Sequence, residues 1–160
     1  MKVAFDMTGY RNRLAKELKK QMADEQTKRL LEYVPKMLNI AYSERTFKND
    51  TFNLADSYVW VVYYNGVPKG SGYLWNERVA TQDANFHHTD VNGRQLAQTF
   101  ITRYTPNTQG WEVVWAATAP YSTYLESGTS RGRFYVITSI YDKIVSDFNS
   151  NAKVSKFINY

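Results

Sequence analysis

The chain has 160 residues, a formal net charge of +5 and no cysteine. That is one domain by length, and a chain of this size buries roughly 68–70% of its unfolded surface without cross-links. Lacking cysteine, it has no disulfide, thiolate nucleophile or cysteine-based zinc site. Aromatic residues make up 16% of the chain and 13 residues are tyrosine. A tyrosine ring buries well while its hydroxyl keeps a polar partner, so these residues either pad a small β-rich core or face another molecule. No run of ~18 apolar residues exists, so no membrane-spanning helix is expected. The opening MKVAFDMTGYRNRL has no apolar export core. Residues 1–50 carry 11 basic and 7 acidic groups, against 9 and 8 in residues 51–160. A mildly basic segment on a near-neutral body falls short of a nucleic-acid binder's footprint.

In chain order, residues 8–47 read as helix. Thr8 is the N-cap, and Leu14, Leu18, Met22, Leu30, Tyr33, Met37 and Ile40 recur at three- and four-residue steps. Pro35 lacks an N–H and crowds the preceding turn, which predicts a kink and two helices, about 8–33 and 35–46. A helix of ~25 residues is about 38 Å long, more than a domain this size needs, so it is expected to project or to pack on a neighbouring copy. KNDTFN is turn-like, and residues 56–64 are a β-branched and aromatic strand. Asn65-Gly66 follows directly and predicts a hairpin. The return strand, 67–75, holds Pro68 and is therefore placed at the sheet edge. Residues 76–92 have no period and read as a long loop. Residues 93–104 form a helix burying Leu96, Ala97, Phe100, Ile101 and Tyr104. Trp111, Val113, Trp115, Ala117 and Ala119 alternate along a strand that ends at Pro120. Tyr121 to Ser127 is a short helical turn closed by Gly128. Residues 134–148 fit either strand or helix, and helix is preferred. The sum is an α+β domain spanning 1–160: a helical segment (1–47), a core (48–150) with a small, mostly antiparallel sheet and at least two further helices packed on it, and a tail (151–160).

Little in the chain suggests catalysis. His87 and His88 are the only histidines; adjacent residues on an extended segment point apart, which makes a poor ligand set even with Asp83 and Asp90 nearby. Both lie in one loop, so no Ser–His–Asp spacing arises. Gly66-Val-Pro-Lys-Gly-Ser-Gly72 has its lysine before the last glycines and a strand after it, so it reads as a hairpin and not a phosphate loop. No catalytic, cofactor or metal residue is expected, and the chain is read as a non-enzyme.

One stretch carries a family pattern. Trp111-Glu-Val-Val-Trp-Ala-Ala-Thr-Ala-Pro-Tyr-Ser-Thr-Tyr-Leu-Glu-Ser-Gly-Thr129 resembles the APYAxYVExGT core of the small tail-component family of tailed phages, the neck and tail-completion proteins. Asp50-Thr-Phe-Asn-Leu-Ala-Asp-Ser57 resembles that family's TGxLxxS segment, which also leads into the first strand. The order of elements agrees over about residues 8–148. Phe52 stands at the family's glycine, Ser122 at a common alanine, Ser127 at a common aromatic, and Arg133-Phe134 at a frequent Pro-Phe.

The resemblance implies a structural virion protein made in the host cytoplasm. It would form a ring at the phage neck or tail end, beside portal, connector or tail-tube proteins, with DNA passing transiently and non-specifically through the lumen and no membrane contact. Ring interfaces need two different sticky surfaces per subunit. The expected surfaces are Leu18 and Met22 on the long helix, and the turn bearing Tyr121, Tyr124, Glu126, Arg131 and Arg133, held by Pro120 and Gly128 as the hairpin is by Asn65 and Gly66. Gly128 is expected in the left-handed conformation, and the two arginines are expected to meet acidic groups on a neighbour. An alternative function is a basic nucleic-acid-binding module with Trp60, Tyr63, Tyr73 and Trp75 as a stacking platform, although only Lys69 and Arg78 lie close by in sequence.

Overall fold

Helix α1 runs from Met7 to Ser43 in the computed structural model, which describes residues 7–46, 53–76, 92–130 and 132–148. A single turn, α2 (Asn53–Asp56), leads into β1 (Tyr58–Tyr64), which turns back into β2 (Val67–Tyr73) and a 3-10 turn at Leu74–Asn76. Then come α3 (Gly93–Arg103), β3 (Trp111–Ala117), α4 (Ser122–Ser127), a 3-10 turn at Thr138–Ile140 and α5 (Tyr141–Phe148). The sheet has the order β2-β1-β3, and both pairings are antiparallel. The fold is α+β, as the sequence predicts.

The break at Pro35 is absent: the chain stays helical through it. A proline inside a helix costs ~3 kcal/mol or more. Leu30, Val34, Met37, Leu38 and Ala41 on both sides of it are at most 2% exposed. Each larger aliphatic side chain buried contributes about 1.5–3 kcal/mol, so packing outweighs the local cost. The Trp115 indole N–H also donates to the Val34 carbonyl at 3.0 Å, tying β3 to the helix one residue before the proline.

Period-two alternation sorts the sheet into two faces. Tyr58, Trp60, Val62, Val113, Trp115 and Ala117 face the inner half of α1 together with Val136, Ile140 and Ile144. Val59, Val61, Tyr63, Val114 and Ala116 face α3 through Ala97 and Phe100. Covering both faces explains why β1 reads as a nearly unbroken apolar run. On β2, Gly72 leaves room for the Trp60 ring, since a Cβ there would lie 2.6 Å from the indole nitrogen, and Gly70 leaves room for Leu31, whose Cδ2 would lie 2.4 Å from a Cβ at that position. At Gly93 the helix start approaches the Asn53 carbonyl so closely that a Cβ would sit 2.0 Å from it.

The hairpin forms where Asn65-Gly66 puts it, with φ of 51° and 77°, the paired positive angles of a tight hairpin turn. Pro68 sits on the edge strand as expected, and the register slips at Val62/Tyr63 so that Lys69 is the extra residue. The strand ends at Tyr73 and not at Trp75, because Leu74 turns inward to 2% exposure at the start of the 3-10 turn. In the 134–148 segment the helix preference holds from Thr138 onward. The expected turn at residues 47–52, the body of the 76–92 loop with both histidines, and the tail lie outside the described residues.

Candidate assembly surfaces

Two regions carry the sequence-predicted interface residues. The first is the turn after β3. Ser122 is fully buried, and its hydroxyl donates to the Ala117 carbonyl at 2.9 Å while its N–H bonds the Ala119 carbonyl. The serine hydroxyl thus caps the end of the strand it follows. Tyr121 and Leu125 pack on the core, but Tyr124 is 61% exposed. β3 ends at Ala117, not at Pro120: after the Thr118 N–H bonds the Ser57 carbonyl the chain leaves the sheet, and Pro120 stands exposed beyond it.

Glu126 corrects the sequence reading. Its side chain turns inward and the residue is only 4% exposed, so it offers nothing to a neighbour. One carboxylate oxygen accepts the N–H groups of Val136, Ile137 and Thr138 at 3.0, 2.7 and 2.9 Å, and the other accepts the Thr138 hydroxyl. Three consecutive N–H groups opening a helical turn would be orphans otherwise, and a carboxylate satisfies them with charge-assisted bonds. Arg133 approaches at 3.9 Å with its side chain 55% exposed. Beside this clasp the Tyr58 hydroxyl donates to the Val136 carbonyl. Burial, and then the nearby Glu126 charge, pushes the Tyr58 hydroxyl well above the usual tyrosine range.

Gly128 ends α4 with φ 110° and ψ 143°, a glycine-only region but not the expected left-handed helical one. From there Thr129 and Gly132 bond each other's backbone across a tight turn, at 2.8 and 3.0 Å. Arg131 lies outside the described residues.

The second region is the outer half of α1. No residue from Met7 to Arg29 is buried, and Met7, Tyr10, Leu14, Leu18 and Met22 are 47–72% exposed. The expected single stripe is thus two stripes: Val34, Leu38 and Ala41 join Leu30 and Met37 in the core, while Tyr33 and Ile40 are half-buried. At ~100° per residue, the mean direction of the outer stripe lies about 160° round the axis from that of the inner one. The outer stripe therefore looks away from the side on which the helix packs against its own sheet. Further along, Tyr33 donates to Asp147 of α5 at 2.7 Å, fastening the inner half. That bond, with Lys143 nearby, holds the Asp147 carboxyl below its ordinary value.

The four aromatics suggested as one platform are divided between the faces. Trp60 packs on the α1 side, whereas Tyr63, Tyr73 and Trp75 lie on the α3 side. Tyr73 and Trp75 stack on each other at 3.9 Å, and Tyr63 is 4% exposed. Residues 60 and 63 differ by an odd number on one strand, which is the signal that separates them. A buried acid on the same side also escaped the sequence reading. Glu112 accepts the Tyr104 hydroxyl at 2.6 Å and the Asn107 N–H at 2.8 Å, pinning the approach to β3. The alternation that buries Val114 already placed it there.

Among the described residues no group of three potential metal ligands comes together, and no helix is long and apolar enough to cross a membrane. Compared with protein-family models, with curated proteins and with solved structures, the chain matches none.

Proposed function

We propose that the protein is a structural, non-enzymatic virion component that assembles as a ring at the neck or tail end of a tailed phage, with DNA passing through its lumen. The observation that carries this reading is the outer half of α1, a helical arm with an exposed apolar stripe facing away from its own core. A domain that needed α1 only for its own core would begin the helix near Leu30. The Ala-Pro-Tyr to Gly-Thr segment adds support: it is a strand end, a short helix and a tight turn, the geometry that the family resemblance implies. Arg133 stays largely exposed beside that turn, and with Arg131 it is assigned to acidic groups on an adjacent subunit or portal.

The test is light scattering and negative-stain microscopy of the purified protein, alone and mixed with portal rings. Ring oligomers or a stoichiometric complex with portal are expected. A protein that stays monomeric at every concentration and binds no portal would contradict the reading.

A further inference from the structure

A ring can be closed by pairing like surfaces through alternate contacts or by seating one surface on a different one, and the charges on this chain distinguish the two. The arm, residues 7–29, carries seven basic and three acidic side chains, net +4. Residues 30–160 carry twelve and eleven, net +1. Two arms packed stripe to stripe would set +4 against +4, whereas an arm on a body sets +4 against a net +1. Like-charge juxtaposition of this kind suppresses a pairing.

Length points the same way. Twenty-three helical residues span about 34 Å at 1.5 Å per residue. A body of ~120 residues has a radius of gyration of ~13–14 Å and is therefore about 35 Å across. One arm is as long as one body is wide.

The body also has something apolar to receive it. Outside α1, the exposed large apolar side chains among the described residues are Val67, Tyr124, Tyr135 and Tyr141. Three of the four are tyrosines on the layer from α4 to α5, which is knit together by the Glu126 clasp and by the Phe134 N–H on the Leu125 carbonyl. Tyrosine is enriched where partners meet because it buries a large ring and keeps its hydroxyl wet.

We infer that the outer half of α1 seats on the α4–α5 tyrosine layer of the next copy of this chain, head to tail, and not on another α1. The inference rests on the ring reading only in taking the partner to be a second copy. Such a contact uses two different surfaces of each subunit, which is the kind that closes by rotation.

The experiment is complementation between two full-length variants, followed by sedimentation velocity. One is arm-defective, Leu18→Asp with Met22→Asp; the other is layer-defective, Tyr124→Asp with Tyr141→Asp. All four side chains are at least 41% exposed, so both variants should melt close to the parent chain. Each alone is expected to be monomeric. An equimolar mixture is expected to form a one-to-one dimer and stop there, since only one sound arm and one sound layer can meet. If the layer variant assembles alone as the parent does, or the mixture stays monomeric while the parent assembles, the inference fails and the ring reading stands. If the parent chain never self-associates, the homo-oligomeric ring fails and takes the inference with it.

Discussion

Helix α1 is one continuous element with two lives. In the inner half Leu30, Val34, Met37, Leu38 and Ala41 are sealed in the core, with Val34 and Ala41 at 0% exposure. From Met7 to Met22 side chains of the same kind stand in solvent, Met22 at 72%. The two halves show that helical periodicity specifies a stripe but not what covers it. What decides is where the sheet lies: only residues reaching Trp115, Tyr58 and the 3-10 turn at Thr138–Ile140 find a core to enter.

That contrast is sharpest in substitutions. Leu38→Ala removes a fully buried side chain and should cost about 2–5 kcal/mol by chemical denaturation. Glu126→Leu should follow, at about 2–3 kcal/mol, because it leaves the N–H groups of Val136, Ile137 and Thr138 buried without their acceptor. It loosens the layer on which the inner half rests, so the melt should show reduced cooperativity around that layer.

Tyr58→Phe is a smaller change, about 1 kcal/mol for the lost hydrogen bond to Val136. It carries a pH signature. The folded Tyr58 hydroxyl titrates well above the ordinary 10.0, so its contribution is fully present below pH 10 and is lost as the unfolded chain begins to ionise above it. Stability should therefore fall above pH 10, and less steeply in the Tyr58→Phe variant; equal alkaline slopes would mean that Tyr58 is not buried. The smallest effect belongs to the outer half. Leu18→Asp should change monomer stability by no more than about 0.5 kcal/mol, since Leu18 is 50% exposed. A loss as large as that of Leu38→Ala would erase the distinction between the halves.

Much of this fold is legible in residue order. The Asn65-Gly66 turn, the alternation of Trp111 to Ala117 and the edge position of Pro68 follow from backbone rules that act over a few residues. The continuity of α1 does not, because the penalty at Pro35 is local while the burial that outweighs it comes from strands more than 20 residues away. Glu126 is harder still. A lone acid on a one-and-a-half-turn helix looks solvated, and its three N–H partners are ten to twelve residues further on. The outer stripe was readable as a candidate from length and spacing, whereas its opposition to the inner stripe needed the buried set to be known. The turn arginines divide: Arg133 has a described position beside Glu126, and Arg131 has none.

Methionine oxidation reads both halves of the helix at once, because Met22 and Met37 are identical chemically and differ only in cover. With Met37 at 1% exposure and Met22 at 72%, brief peroxide treatment and mass spectrometry should leave Met37 unreacted throughout. Met22 should oxidise readily in dilute monomer and become protected as the protein concentration is raised and copies assemble. Met22 reacting equally fast in assembled and dilute protein would contradict the claim that this half of the helix is covered by another copy.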